Sequence, residues 1–131
     1  AYGGYRIMKK VATVNAPAAI GPYSQGIVTG NMVFVSGQLP IDPKTGEFAE
    51  GDVKALTTQS MKNVAAVLEA AGTSVDKIVK TTIFVADLAD FAAVNEAYAA
   101  FFPETAPARS CVQVAAIPKN ASMAIEAIAE L

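Results

Sequence analysis

Hydrophobic and polar positions first alternate along the chain and later fall at helical spacing. Residues 26–29 and 32–36 are two β-rich runs separated by Gly30 and Asn31, a pair that supplies the positive φ values of a tight hairpin turn. Residues 53–71 instead carry apolar side chains three and four positions apart, and Gly72 stands where it would end the helix. The pattern predicts a β-hairpin followed by an amphipathic helix of about five turns.

The rest of the chain predicts four strands and a second helix. Residues 10–14 form a first strand, Gly37 ends the hairpin, and residues 42–46 form a turn. Residues 78–85 are rich in β-branched residues and predict a strand with apolar groups on both faces. A helix then begins at Asp87 or Asp90 and is stopped by Pro103. Two more strands follow, one entered at Pro107 and the last at Met123. This order predicts an α+β fold with a single mixed sheet and two helices packed on one face.

The strand after Pro107 carries the chain's most distinctive chemistry. Alternation separates Arg109, Cys111 and Gln113 from Ser110 and its neighbours on the other face, so we expect one polar face and one core face. An arginine on a rigid strand, close to a thiol and its backbone amide, predicts a fork that binds a small carboxylate or phosphate. The alternative is a surface arginine in an ion pair at the rim.

Composition favours an oligomer. The chain has 131 residues, enough for one domain, and is 53% hydrophobic with only 17% charged residues. Some strands carry apolar side chains on both faces, but the helices cover only one face of the sheet. The other face is then an uncovered apolar surface, of the kind that usually marks a subunit interface. Because charged or polar residues interrupt every apolar run, we predict no membrane span.

Charge and missing residue types exclude several function classes. The net charge of −2 and the lack of a basic stripe argue against nucleic acid as the main partner. A chain with no histidine has no Ser-His or Cys-His nucleophile pair and lacks the commonest metal ligand, so no metal site is expected. The single cysteine allows no internal disulfide, and the first residues lack the apolar core of a signal peptide, which favours a cytoplasmic protein.

Residues 1–7 precede Met8, which resembles a natural start and is followed by two lysines. We interpret residues 1–7 as an N-terminal extension or a remnant of expression cloning. Residues 8–131 are then a single domain.

Four short motifs occur in one order along the chain and together resemble the Rid family, the YjgF-like enamine/imine deaminases. The motifs are GPYSQ at 21–25, VSGQ at 35–38, VNEAY at 94–98 and PARSCV at 107–112. The resemblance implies a chorismate-mutase-like fold, a homotrimer, and clefts between subunits that bind small carboxylates. It also implies cofactor-independent hydrolysis of 2-aminoacrylate-type enamines and 2-iminopropionate-type imines, made by pyridoxal-phosphate enzymes, to 2-oxo acids and ammonia.

The same resemblance assigns roles to individual residues. Arg109 matches the residue that binds the substrate carboxylate, and Cys111 matches the neighbour whose main chain helps to hold it. The residues that line or shape the cleft are Tyr23, Ser36, Gly37 and Asn95.

One departure from the family pattern leaves the function open. Ala124 stands where relatives carry a cleft glutamate that holds a water, and Glu126 lies two positions further, about 6–7 Å along the strand. The stretch between Phe102 and Arg109 is also shorter than in some members. Three functions follow: an imine deaminase, a non-catalytic carboxylate-binding or regulatory trimer, and the ribonuclease activity ascribed to some relatives, which the acidic pI of about 5.0 disfavours.

Overall fold

The structure, a computed structural model, describes residues 7–131. The N-terminal extension predicted for residues 1–7 therefore lies outside the described residues, apart from Ile7. Within residues 7–131 there are two α-helices and six strands. The helices are α1 (Val53–Ala71) and α2 (Phe91–Ala99), and the strands are β1 (Met8–Val11), β2 (Gly26–Thr29), β3 (Met32–Gln38), β4 (Ile78–Val85), β5 (Ala108–Gln113) and β6 (Met123–Glu130).

The six strands form one mixed sheet in the order β1-β2-β3-β6-β4-β5. All neighbours are antiparallel except β4 and β5, which are parallel and connected through α2. β6 pairs with β3 on one side and with β4 on the other, so it joins the N-terminal hairpin to the crossover unit. The predicted α+β class with a single mixed sheet and two helices is confirmed.

Helix α1 has the predicted bounds because both of its ends are capped. The Asp52 carboxylate accepts a hydrogen bond from the Ala55 amide at 3.0 Å, and Gly72 ends the helix at φ 94°, a left-handed conformation that glycine adopts without strain. The buried stripe between them, which includes Met61, Val64 and Leu68, packs on the sheet and builds the main core.

The sheet has a helix face and an open face. Val33, Ile83 and Ile125 point to the helix face and are fully buried. On the open face Phe34 and Val112 are each 43% exposed. Strand register places three further apolar side chains there, namely Ile27, Phe84 and Ile128. The predicted uncovered apolar sheet face is therefore present in the single chain.

Three predicted boundaries were wrong. The first strand is Met8–Val11 and not residues 10–14, because the Gln25 side chain binds the backbone from Thr13 onward and draws it off the sheet. β3 continues through Gly37 to Gln38. Helix α2 ends at Ala99, before Pro103, and the amides of Phe101 and Phe102 then close tight turns onto the carbonyls of Tyr98 and Ala99.

A β-bulge interrupts β3 where a functional role was predicted. Val35 pairs with Ala127 and Gln38 with Ile125, so three steps along β3 match two along β6. The extra residue places Ser36 and Gly37 together opposite Glu126, on the open face. In the part of the chain that the structure describes, no helix is both long and apolar enough to span a membrane.

Candidate functional site

Arg109 and Cys111 lie on the helix face of β5, which corrects the expectation that their face is the polar, outer one. Thr81 pairs with Arg109 and Ile83 with Cys111 in parallel register, and both β4 partners are fully buried. Ser110 and Val112 point to the open face and are exposed. The alternation was right, but the assignment of faces was wrong, because α2 covers the side that carries the guanidinium and the thiol.

The Arg109 guanidinium is held by one face of α2. Its Nη1 donates a hydrogen bond of 2.6 Å to Oδ1 of Asn95. Its Cζ lies 5.5 Å from the ring centroid of Phe91 and 5.3 Å from that of Tyr98, within the range of cation–π attraction. We call Arg109, Asn95, Phe91, Tyr98 and Cys111 the arginine cluster. One bond and two aromatic rings fix the direction of the guanidinium and leave its other N–H groups free to bind an anion.

Burial keeps the two titratable neighbours of Arg109 neutral. Burial raises the pKa of the Tyr98 hydroxyl, and the hydrogen bond from Thr81 and the charge of Arg109 lower it by less. The Tyr98 hydroxyl and Thr81 Oγ1 share a hydrogen bond of 2.6 Å. Burial likewise raises the pKa of the Cys111 thiol, against a smaller opposing effect of Arg109. Cys111 is therefore a protonated thiol at neutral pH and not a nucleophile.

Arg109 has no carboxylate partner in the described chain. Between residues 7 and 131 no Asp or Glu oxygen lies within 4.0 Å of the guanidinium. The rim ion pair considered from the sequence is thus absent within the chain. A half-buried, unneutralised guanidinium is suited to bind a carboxylate bidentately.

A second group of the predicted site residues lines a separate cavity of about 420 Å³. Tyr23 and Gly37 lie on its wall, Ala124 forms part of it from β6, and Leu39 and Ile41 add apolar surface. Lys119 contributes the only charged side chain among the described lining residues. We call this cavity the apolar pocket.

Ser36 supports the apolar pocket without lining it. Its hydroxyl donates a hydrogen bond of 2.6 Å to the carbonyl of Ser24, which ties the loop that carries Tyr23 to the bulge in β3. A Cβ built on Gly37 meets no atom within 4 Å, so this position opens onto free space in the single chain. Tyr23, which is half exposed, and Gly37 thus present a donor and a bare backbone at one edge of the pocket.

The arginine cluster and the apolar pocket are on opposite faces of the sheet. Ser36 and Gly37 in β3 and Ala124 in β6 face the open side, whereas Arg109 in β5 faces the helices. β3 and β5 are also three strand spacings apart, about 14 Å. The sequence grouped these residues into one site, but within one chain the structure brings together only Arg109, Asn95 and Cys111 on one side, and Tyr23 and Gly37 on the other.

Sequence reasoning missed the residues that position the others. Phe91 and Tyr98 were not predicted as site residues, although with Asn95 they follow the i, i+4, i+7 stripe that places three side chains on one helix face. Gln25 and Asn63, whose amides anchor the pocket walls, carry no local signal, because their partners lie up to 24 residues away in sequence.

The chain is similar to known proteins over most of its length. A family model described as endoribonuclease L-PSP matches residues 13–131. The chain is 61% identical over 124 residues to the 2-iminobutanoate/2-iminopropanoate deaminase of Salmonella typhimurium and 60% identical to that of Escherichia coli strain K12. Each match covers 92% of this chain and 96% of the relative.

Solved structures give the same picture. E. coli TdcF with bound serine superposes with a TM-score of 0.90 at 51% identity, covering 94% of this chain and 98% of that one. The E. coli YjgF gene product superposes with a TM-score of 0.89 at 58% identity, covering 93% and 98%. RidA from an Antarctic Psychrobacter gives 0.90 at 46% identity, covering 94% and 99%. The predicted chorismate-mutase-like fold is confirmed.

Proposed function

The chain belongs to the endoribonuclease L-PSP family, which includes its YjgF and RidA relatives, and from this premise we propose that it is an enamine/imine deaminase. Its substrates are reactive 2-imino acids and their 2-enamino tautomers, and its products are 2-oxo acids and ammonia. The names of the Salmonella and E. coli relatives, 2-iminobutanoate/2-iminopropanoate deaminases, support this reaction. The observation that carries it here is the unneutralised guanidinium of Arg109, aimed by Asn95.

The proposed reaction is a hydrolysis in which the protein mainly orients the substrate. An enamine first tautomerises to the imine, water adds to the imine carbon to form a carbinolamine, and the C–N bond breaks to release ammonia and leave the 2-oxo acid. Arg109 holds the carboxylate with help from the main chain of Cys111, and the Tyr23 hydroxyl assists as charge moves to nitrogen. Orientation of this kind supplies part of the roughly 7–11 kcal/mol available from proximity. The step uses neither a metal nor a bound cofactor.

We further propose that the working site is a cleft between subunits of a homotrimer. The two halves of the predicted site lie on opposite faces of one chain, and the open face exposes apolar side chains such as Phe34 and Val112. A neighbouring copy that covers this face would bring its apolar pocket toward the Arg109 edge. In this arrangement residues 8–131 of each subunit form one domain. We also propose a cytoplasmic location, which is consistent with a single cysteine.

The reaction is tested by a coupled assay. A serine dehydratase generates 2-aminoacrylate, and release of the 2-oxo acid is followed with and without the purified protein. We expect acceleration over the spontaneous rate that scales with protein concentration. Hydrolysis no faster than in buffer would refute the deaminase.

The second candidate is a carboxylate-binding trimer without catalysis, and Ala124 is the observation that favours it. The Ala124 methyl can hold no water, and Glu126 lies on the open face opposite the bulge and does not line the pocket. The E. coli relative TdcF was solved with bound serine, an amino acid with the carboxylate that Arg109 would recognise. Calorimetric binding of pyruvate without turnover would leave this candidate standing.

The shared cleft is tested by mixing two inactive variants. Arg109→Ala removes the anchor, whereas Gly37→Val fills the pocket edge at a position where a side chain meets nothing in the single chain. If each site takes its arginine and its pocket from different subunits, random mixed trimers restore about a quarter of the sites. Mixtures as inactive as their parents would place both halves in one subunit and refute the cleft.

A further inference from the structure

Two buried amide side chains, those of Gln25 and Asn63, anchor the segments that form the walls of the apolar pocket. The Gln25 amide nitrogen donates to the carbonyls of Thr13, Ala16 and Pro17 at 3.0, 3.3 and 2.8 Å, and its oxygen accepts from the Thr13 amide at 2.7 Å. These four bonds fix the loop that forms one wall. Gln25 itself is only 5% exposed, and its bond to the Ala16 carbonyl is buried while the other three are partly buried.

The opposite wall is held in the same way. Asn63 projects from α1 and donates to the carbonyls of Leu39 and Ile41 at 2.9 and 2.8 Å. Its own oxygen accepts from Gln59 at 2.9 Å. Because Asn63 is 1% exposed and its hydrogen-bonding groups are used, the segment after β3 is fixed in place. Both walls are therefore rigid before a ligand arrives, as expected for a specific pocket.

Ala124 is the residue of β6 that lines the apolar pocket. It lies on the open face of β6, pairs with Phe84 in register, and packs in a small cluster with Ile117 and Ala121. A methyl group at this position leaves space that a longer side chain would fill. The neighbouring lining residues Ile20, Leu39 and Ile41 are apolar, and no carboxylate of the described residues lines the pocket.

We propose that the apolar pocket is the side-chain subsite of this enzyme and that Ala124 selects 2-imino acids with branched aliphatic side chains, such as the imine of leucine, over the imine of alanine. This inference rests on the proposed deaminase function and adds the substrate class. Burial of each additional methylene favours the larger substrate by about fourfold, so a leucine-type side chain gains roughly tenfold or more in kcat/KM. Lys119 at the rim disfavours cationic side chains.

The decisive measurement is a selectivity ratio. An amino-acid oxidase with catalase generates the imine of leucine or of alanine, and semicarbazide trapping reports how fast each imine is removed. We expect the wild type to prefer the leucine imine by tenfold or more, and Ala124→Leu to lower that preference at least tenfold. Ala70→Leu, the same change at an exposed position of α1 that does not line the pocket, should keep the ratio.

Two outcomes overturn the assignment. A wild-type leucine-to-alanine ratio near one shows that the pocket does not discriminate between substrate side chains. A ratio unchanged by Ala124→Leu shows that Ala124 does not determine the preference. If Ala124→Leu does not assemble, the smaller Ala124→Val is used, for which we expect a shift in the same direction of about threefold.

Direct binding separates this inference from the deaminase proposal. If the wild type hydrolyses neither imine, the proposed function fails, and calorimetry with 2-oxo acids then tests the subsite alone. Tighter binding of 4-methyl-2-oxopentanoate than of pyruvate, lost in Ala124→Leu, supports the subsite. Equal binding of the two, or tighter binding of 2-oxoglutarate through Lys119, overturns it.

Discussion

The arginine cluster and the apolar pocket lie on opposite faces of one sheet and offer a ligand different things. The arginine cluster supplies charge and direction, with a guanidinium held against Phe91, Tyr98 and Asn95, but it has no enclosing wall. The apolar pocket supplies enclosure, with walls anchored by Gln25 and Asn63, but almost no charge. Under the proposed function, the anchoring of the carboxylate and the choice of the side chain have separate structural bases, so each should fail separately under mutation.

The largest effect should come from the charge of the arginine cluster. Arg109→Ala removes two charge-assisted hydrogen bonds of about 1.5–3 kcal/mol each, so kcat/KM should fall by at least roughly a hundredfold. Arg109→Lys keeps the charge but loses the planar guanidinium fork, so its kcat/KM should fall about tenfold. Steady-state hydrolysis of 2-iminopropionate measures both.

The control for Arg109 is folding. Since no carboxylate in residues 7–131 pairs with the guanidinium, both variants should melt close to the wild type and assemble as the wild type does. A structural arginine would instead cost about 3–5 kcal/mol when its partner is stranded. An Arg109→Ala variant that assembles as the wild type does and turns over substrate at the wild-type rate would remove Arg109 from the reaction.

The second prediction separates the two regions physically. Phe34→Glu places a charge on the open face, where the wild-type ring is 43% exposed in the single chain. If that face is buried between subunits, the variant should be monomeric by light scattering, and activity at micromolar protein should fall at least about tenfold. Ala70→Glu, which adds the same single negative charge on the exposed side of α1, is the matched charge control and should stay assembled. An active Phe34→Glu monomer would contradict the shared cleft.

A smaller effect is expected when a pocket wall is loosened. Asn63→Leu leaves the carbonyls of Leu39 and Ile41 unpaired in the interior, which should cost about 2 kcal/mol of unfolding free energy. Activity should fall only a few-fold, mainly through KM, because the carboxylate anchor is untouched. Urea titration and steady-state kinetics test this. Gln59→Leu, which loses only its bond to Asn63, is the control and should cost under about 1 kcal/mol.

The smallest effect should follow Tyr98→Phe. The aromatic face under Arg109 remains, so activity should change less than about twofold, while the lost bond to Thr81 costs about 1 kcal/mol. The raised pKa of Tyr98 adds a pH signature. The neutral phenol stabilises the fold fully below the unfolded pKa near 10.0, and this stabilisation is lost as pH rises through the higher folded value. Thermal melts of Tyr98→Phe should therefore be less sensitive to alkali than those of the wild type.

Local signals were enough to predict much of the fold. Helix α1 has its predicted bounds because Asp52 and Gly72 cap it, and the hairpin turns at Gly30, where φ is 58°. Only the first residue of that turn has a positive φ, as in a type II′ turn, although both were expected to. The residues 42–46 turn also forms, with amides of Thr45 and Gly46 bonded to the Asp42 carbonyl.

The site was harder to predict because its arrangement depends on distant contacts. Alternation shows that Arg109 and Ser110 point to opposite faces of β5, but not which face α2 will cover. The face with the guanidinium is half-buried because two aromatic rings accept it, a property of α2 that β5 does not encode. The first strand was misplaced for a related reason, since the side chain of Gln25 and not local propensity decides where β1 ends.

The central position of β6 has a consequence for how the chain folds. β6 is the last in chain order of the six strands that the structure describes, yet it lies between β3 and β4, and among these strands it alone pairs with both halves of the sheet. Until it is available, one edge of the hairpin half and one edge of the crossover half stay unpaired, and each edge can pair with another chain. Sheet completion therefore waits on contacts between residues far apart in sequence, which makes it a late and slow step.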